Sequence, residues 1–143
     1  MSVKNILDTK GHDVICVKNT ALLREAISLL NTHNIGVVLV TNSKDQLAGI
    51  LSERDIIRRA LSQEIGFRDE LVTKTMTKNV VSVGLDASVE DVMEMMTNSR
   101  VRHIPVVENE KIKGLISIGD VVKKKIFDVE NEATVLRDYI ATG

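Results

Sequence analysis

The chain contains the same unit twice, and this duplication limits its possible folds more than any other feature of the sequence. Residues 13–60 run in parallel with residues 79–125. Gly49-Ile-Leu-Ser-Glu-Arg-Asp55 corresponds to Gly114-Leu-Ile-Ser-Ile-Gly-Asp120, and Val37-Val-Leu-Val40 to His103-Ile-Pro-Val106. Few residues are identical, so the match lies mainly in the pattern and in the repeated Gly, Ser and Asp. Such a duplication predicts two similar faces related by a pseudo-twofold axis, and a crevice between such faces suits a ligand.

Composition narrows the class of protein. The formal net charge of −1 gives no general attraction to nucleic acid or to an anionic membrane. Phe67, Phe127 and Tyr139 are the only aromatic residues, too few for a base-stacking platform. The longest apolar run, residues 35–40, is far shorter than a membrane span. We therefore expect a cytoplasmic protein with neither a nucleic acid nor a membrane as its partner.

The coarse structure repeats as strand, helix, strand, strand, helix. Residues 37–41 are β-branched and apolar and predict a buried strand, and residues 47–51 predict the next one. A small sheet with helices on one face places the fold in the α/β (or α+β) class. The expected divisions are a first repeat with its N-terminal segment, a linker, a second repeat and a C-terminal helical extension, at residues 1–65, 66–78, 79–125 and 126–143.

The strongest chemical signal is Gly-x-x-Ser-x-x-Asp, which occurs once in each repeat where a strand runs into a helix. Ser52 and Asp55, like Ser117 and Asp120, would lie in the first turn of a helix, where free N–H groups attract anions. Each carboxylate could accept hydrogen bonds from two sugar hydroxyls. The same spacing also resembles a capping box, in which Ser and Asp simply cap the helix start. Duplication copies caps as well as ligand sites, so both interpretations stay open at this point.

The two units resemble a tandem pair of CBS domains, the arrangement called a Bateman module. The repeat length, the two Gly-x-x-Ser-x-x-Asp ends, Met76-Thr77 and Arg102-His-Ile-Pro-Val106 carry this resemblance. It implies two β-α-β-β-α repeats that pack sheet against sheet and leave two clefts for adenine-containing ligands. AMP is favoured, and ADP, ATP, NAD or S-adenosylmethionine are other candidates. The resemblance also implies no catalytic residue, no metal and no catalytic cofactor.

The resemblance assigns roles to particular residues. Asp55 and Asp120 match the position that binds ribose hydroxyls, and Ser52 and Ser117 match a hydroxyl near ribose or phosphate. Arg102 and His103 match two positions that hold basic residues facing the phosphate. His103 would attract the phosphate more strongly as the pH falls through about 6.5, because it then becomes protonated. Because the first repeat has Gly36 and Val37 at those positions, the two clefts are expected to be unequal. The preferred cleft combines Asp55 with Arg54, Arg102 and His103, while Gly119 weakens the Asp120 cleft. Val17 and Val83 could line the adenine pockets or belong to the hydrophobic core.

The leading function is therefore a regulatory module that senses adenine nucleotides and acts on an unidentified target protein. An alternative is a ligand-free module for protein interaction and dimerisation, which only ligand binding would distinguish. An enzyme would need an activated nucleophile or a metal, and the sequence has no P-loop and no Gly-x-Ser-x-Gly motif.

The C-terminal segment carries a pattern that the repeat does not explain. Apolar residues recur there at alternating spacings of four and three, which predicts a helix over about residues 118–141 with a coiled-coil seam. The seam could fold back onto the chain's own module or pack on a second subunit. We expect the second arrangement, a homodimer. The seam consists of Val122, Ile126, Val129, Ala133, Leu136 and Ile140.

Overall fold

The computed structural model describes residues 2–62 and 65–142, so the predictions that touch residues 1, 63–64 and 143 fall outside the described residues. It has the predicted mixed α/β class, with five α-helices and two small sheets among the described residues. A first helix precedes the repeats, and the last helix is the long one that the C-terminal pattern predicts. In chain order the elements are α1 (Val3–Lys10), β1 (Cys16–Lys18), α2 (Leu23–His33), β2 (Val37–Thr41), β3 (Leu47–Ser52), α3 (Glu53–Leu61), α4 (Val89–Ser99), β4 (His103–Glu108), β5 (Lys111–Ser117) and α5 (Ile118–Thr142).

The first repeat forms a three-stranded sheet around its central strand. Strand β2 pairs in parallel with β1 and antiparallel with β3, and all of its residues are buried. Burial on both faces explains its unbroken run of Val, Leu and Thr, because a strand with one wet face would alternate with polar residues. The prediction of a buried strand at residues 37–41 is confirmed.

The second repeat lacks a full first strand, which corrects the expectation of two complete β-α-β-β-α units. Only an isolated parallel bridge joins Val83 to Val106. In the first repeat the N–H of Leu39 donates to the carbonyl of Ile15 at 3.2 Å. Pro105 occupies the position of Leu39 in the second repeat and has no N–H to donate. The corresponding rung of the ladder therefore cannot form, and the strand is reduced to one bridge.

The structure divides into two compact units that do not follow the order of the chain. Unit 1 consists of residues 2–12, 81–106 and 114–142, and unit 2 consists of residues 13–62, 65–80 and 107–113. In unit 1 the N-terminal leader, residues 2–12, packs on the second repeat, where Val3 and Leu7 are fully buried. In unit 2 the middle leader, residues 65–80, packs on the first repeat, where Val72 is fully buried. The leader ahead of each repeat thus completes the core of the other repeat.

Backbone hydrogen bonds fix each leader in its unit. In unit 1 the N–H of Val3 donates to the carbonyl of Ala87 at 2.8 Å. In unit 2 the N–H of Val72 donates to the carbonyl of Ala21 at 2.9 Å, and Thr77 exchanges two hydrogen bonds with Ile50 at 2.9 and 3.0 Å. Residues 66–78, which the sequence suggests as a linker, are therefore integral to unit 2. The predicted boundaries of the repeats along the chain remain a prediction.

The repeated glycines make room for these leaders. A Cβ on Gly114 would lie 2.5 Å from a methyl carbon of Leu7, in unit 1. A Cβ on Gly49 would lie 2.5 Å from the sulfur of Met76 and 2.9 Å from the carbonyl oxygen of Thr77, in unit 2. Any larger residue would collide with the leader, so each glycine serves the packing of its unit.

Helix α5 confirms the predicted helical extension, and its seam is uncovered. Five of the six seam residues expose between 48% and 69% of their surface, namely Val122, Ile126, Val129, Leu136 and Ile140. Phe127, Val135 and Tyr139 are exposed as well, but at about 100° per residue they lie away from the seam on the helix surface. Apolar side chains in such a row are a common mark of an interaction surface. None of the described helices is both long and apolar enough to cross a membrane.

Candidate functional site

The Ser52–Asp55 pair lies where β3 ends and α3 begins, as the sequence predicts. Asp55 Oδ2 accepts hydrogen bonds from the N–H of Ser52 at 2.9 Å and from its hydroxyl at 3.0 Å. The N–H of Asp55 in turn donates to Ser52 Oγ at 3.2 Å. This reciprocal pattern is a capping box, which satisfies backbone donors that the helix itself leaves unpaired.

The Ser117–Asp120 pair repeats this geometry at the junction of β5 and α5. The N–H of Ser117 donates to Asp120 Oδ2 at 2.9 Å, and the N–H of Asp120 donates to Ser117 Oγ at 3.1 Å. Both copies of the motif are therefore caps, so the structural interpretation of the spacing is correct. A cap does not exclude a ligand, because it uses only one of the two carboxylate oxygens.

The oxygen that remains is the part of each carboxylate that could take a ligand. Within residues 2–62 and 65–142, no group donates a hydrogen bond to Oδ1 of Asp55 or of Asp120. Both residues are half-buried, so part of the cost of removing water from each carboxylate is already met before a ligand donates to Oδ1. An ionised carboxylate oxygen of this kind accepts strong hydrogen bonds from hydroxyl groups.

Lys10 is a residue of the Asp120 site that sequence reasoning did not find. Its ammonium group donates to Asp120 Oδ2 at 2.6 Å and to the carbonyl of Leu115 at 2.8 Å. Burial alone would raise the pKa of Asp120, but Lys10 and the hydrogen bonds from Ser117 outweigh it and lower that pKa. No local pattern marks Lys10, because it reaches the site from the N-terminal leader.

Arg102 and His103 lie beside the start of α5 in unit 1. The carbonyl of Arg102 accepts a hydrogen bond from the N–H of Ile118 at 2.8 Å, and the Arg102 side chain is exposed. Burial lowers the pKa of the half-buried His103, and the positive charges of Lys10 and Arg102 lower it further, while Asp120 opposes them. The expected gain in positive charge at His103 therefore requires a pH lower than about 6.5.

The first repeat differs at the corresponding positions, as the sequence indicates. The carbonyl of Gly36 accepts a hydrogen bond from the N–H of Glu53 at 2.9 Å, so the backbone contact is retained without a cationic side chain. Val37 is buried in the sheet. Arg54 is exposed, and no ion pair joins it to Asp55 in the part of the chain that the structure describes. Within unit 2, Asp55 therefore lacks the cation that Lys10 gives to Asp120.

Val17 and Val83 contribute to hydrophobic packing within their units. Val17 is buried in the core of unit 2, and Val83 is half-buried against the core of unit 1. Their proposed contact with adenine stays a prediction, because a core residue at a strand end can also line a pocket.

The lowered pKa of His103 predicts a loss of stability in acid. Because the unfolded chain takes up the proton first, the contribution of neutral His103 is complete above about pH 6.5 and is lost as the pH falls toward the folded pKa. Urea unfolding between about pH 5 and 8 should show this loss in the wild type. His103→Gln should remove that part of the pH dependence. The same slope in both proteins would contradict the assignment.

Comparisons with known proteins agree with this fold. The CBS-domain family model matches residues 3–62 and 69–126. A solved CBS-domain protein from Agrobacterium tumefaciens is 41% identical, with a TM-score of 0.81 over 87% of this chain and 92% of that one. An uncharacterised 17.7 kDa protein of Acidianus ambivalens is 36% identical over 122 residues, which cover 85% of this chain and 71% of that protein. The chain spans a smaller share, 60% and 19%, of two other curated relatives.

A further solved structure shows a CBS domain pair in complex with 5′-methylthioadenosine and S-adenosyl-L-methionine. It is 25% identical to this chain, with a TM-score of 0.75 over 91% of this chain and 98% of that one. The family model matches both repeats and most of the chain, so the resemblance inferred from the repeated motifs is confirmed. The chain belongs to the CBS-domain family, in which it is a tandem CBS pair.

Proposed function

We propose that this protein is a regulatory module that binds an adenosine-containing ligand and passes its state to a partner protein. The observation that carries the proposal is the duplicated capping box. At the start of α3 and of α5 it holds a half-buried carboxylate whose Oδ1 accepts no hydrogen bond from the described residues. A ribose presents two neighbouring hydroxyl donors, and a carboxylate oxygen is the acceptor that suits them. The solved relative with bound S-adenosyl-L-methionine supports this ligand class.

Each proposed contact follows from the chemistry of its residue. Asp55 and Asp120 accept hydrogen bonds from ribose hydroxyls, and Ser52 and Ser117 contribute their hydroxyls beside them. Cationic side chains then read the phosphate, which makes AMP the favoured ligand over ADP, ATP, NAD and S-adenosylmethionine. The proposed phosphate-reading residues are Arg54, Arg102 and His103, and the proposed walls of the adenine pockets are Val17 and Val83.

A binding screen separates this function from the alternative of a ligand-free interaction module. A ligand that binds only the folded chain raises its melting temperature by mass action. We expect AMP to raise the melting temperature of the wild-type protein, with ADP, ATP, NAD and S-adenosylmethionine as the comparison set. If none of the five raises it at a large excess, the interaction module becomes the better account.

The dimer surface that we propose is the exposed seam of α5, whose occupant is a second copy of this chain and not the unidentified target protein. The seam repeats over nearly three heptads, which matches the length and spacing that a paired helix needs. A self-complementary row of apolar residues suits a twofold dimer, because each copy presents the same surface.

Removing the seam should therefore abolish the dimer. We expect the full chain to be a dimer at tens of micromolar by light scattering, and a chain that ends at Lys125 to be a monomer. Leu136→Glu should raise the dimer dissociation constant by at least about 100-fold, because two buried leucines of about 1.5 kcal/mol each are lost. Asn131→Glu introduces the same side chain on the opposite side of the helix and is the matched control. A truncated chain that stays equally dimeric would exclude the seam as the interface.

A further inference from the structure

Lys10 is held in place by the leader to which it belongs. It is the last residue of α1, whose Val3, Ile6 and Leu7 are buried in the core of unit 1. Its backbone is therefore fixed, while its side chain remains 36% exposed. The partner carboxylate, Asp120, is 22% exposed, so both members of the ion pair are partly accessible to solvent.

Lys10 supplies the cation of the Asp120 site. Its ammonium has three N–H donors, and within the described residues Asp120 Oδ2 and the carbonyl of Leu115 take two of them, so one donor remains for a further acceptor. Burial and the charge of Lys10 lower the pKa of His103, which is therefore neutral at neutral pH. No lysine or arginine pairs with Asp55 within the described residues, so this cation is particular to the Asp120 site.

We propose that Lys10 is the anion-recognition residue of the Asp120 site, which makes that site select a ribonucleotide over the corresponding neutral nucleoside. This inference rests on the proposed function. Without a ligand the ammonium of Lys10 caps Asp120 Oδ2, and a neutral nucleoside must share the carboxylate with it. A phosphate offers the ammonium another partner, while Lys10 keeps its hydrogen bond to Leu115 because an ammonium has three donors.

The test uses AMP and adenosine, which differ only in the phosphate. Calorimetric titrations are made in an Asp55→Asn background, so that the Asp120 site reports alone. Lys10→Met removes the charge and keeps the aliphatic stem. We expect it to lower the preference for AMP over adenosine by roughly tenfold, without weakening adenosine binding. Lys10→Arg should restore the preference. Lys4→Met, an exposed position on the same helix, is the matched control and should leave the preference unchanged.

The outcomes separate this inference from the proposed function. If the wild type binds neither compound, this inference is overturned, and the proposed function fails as well if ADP, ATP, NAD and S-adenosylmethionine also do not bind. If the wild type binds AMP but Asp55→Asn does not, or if Lys10→Met keeps the full preference for AMP, the function stands and the inference is overturned. A readout without ligand checks the contact: the pKa of Asp120, measured by carbon NMR, should rise in Lys10→Met. An unchanged pKa would show that Lys10 does not hold Asp120 in solution.

Discussion

Replacing Asp55 by asparagine should lower the affinity for AMP by roughly 10- to 150-fold while the protein stays folded. Hydrogen bonds from ribose hydroxyls to a carboxylate contribute about 1.5–3 kcal/mol, and the neutral amide oxygen accepts them more weakly. Asparagine still offers an oxygen to the N–H of Ser52, so the cap of α3 is largely retained. Calorimetry with AMP measures the affinity, and thermal unfolding verifies the fold. Asp120→Asn should act in the same direction with a smaller loss.

Helix α4 supplies a matched control for this substitution. It begins with the same Ser-x-x-Asp spacing, and the N–H of Asp91 donates to Ser88 Oγ at 3.0 Å. Asp91→Asn thus makes the same chemical change at a similar helix start outside the proposed sites. It should leave AMP affinity unchanged. If Asp55→Asn binds AMP as tightly as Asp91→Asn does, Asp55 is a cap and nothing more.

Replacing Gly49 by alanine should destabilise the protein by about 2–4 kcal/mol. The new Cβ would lie 2.9 Å from the carbonyl oxygen of Thr77, which accepts the N–H of Ile50 at 3.0 Å. Relieving this overlap forces the leader away from β3, which adds a lost hydrogen bond of about 1 kcal/mol to an overpacking cost of about 1–3 kcal/mol. Urea unfolding measures the effect as a fall in the midpoint concentration.

Two other glycines calibrate that measurement. The three atoms nearest to the new Cβ of Gly114→Ala all belong to the flexible side chain of Leu7, so its cost should be smaller, about 1–2 kcal/mol. Gly119→Ala lies in the first turn of α5, with Ser117 Oγ at 3.6 Å as its nearest neighbour, and it should raise stability by up to about 1 kcal/mol. An unfolding midpoint of Gly49→Ala equal to that of the wild type would show that the middle leader does not pack on β3.

Features that depend on local pattern could be predicted from the sequence. The buried strand at residues 37–41 follows from its continuous apolar run, and α5 follows from its alternating spacing of four and three. The caps at Ser52 and Ser117 follow from a spacing that reports one helical turn. Each of these signals lies within a few residues of the structure that it specifies.

Features that depend on distant contacts could not be predicted in this way. Lys10 and Asp120 are separated by 110 residues, and nothing local to Lys10 indicates its partner. The packing of each leader on the other repeat could not be predicted either. Residues 66–78 have the polar composition of a linker, although Val72 is fully buried. The lowered pKa of His103 depends mainly on its burial and on the charge of Lys10, which only the folded chain brings close to it. The effect of Pro105 could have been inferred, since proline lacks the donor that a paired strand requires.

The most direct test of the central claim is a titration of the isotope-labelled wild-type protein with AMP, followed by the backbone amide signals. The proposed function predicts that the amides of Ser52 and Asp55, or those of Ser117 and Asp120, shift progressively and saturate with one dissociation constant. Adenosine should move the same amides with weaker affinity, because it keeps the ribose hydroxyls and lacks the phosphate. If the amide signals at both helix starts keep their chemical shifts at saturating AMP, the claim that these carboxylates bind an adenosine-containing ligand is contradicted.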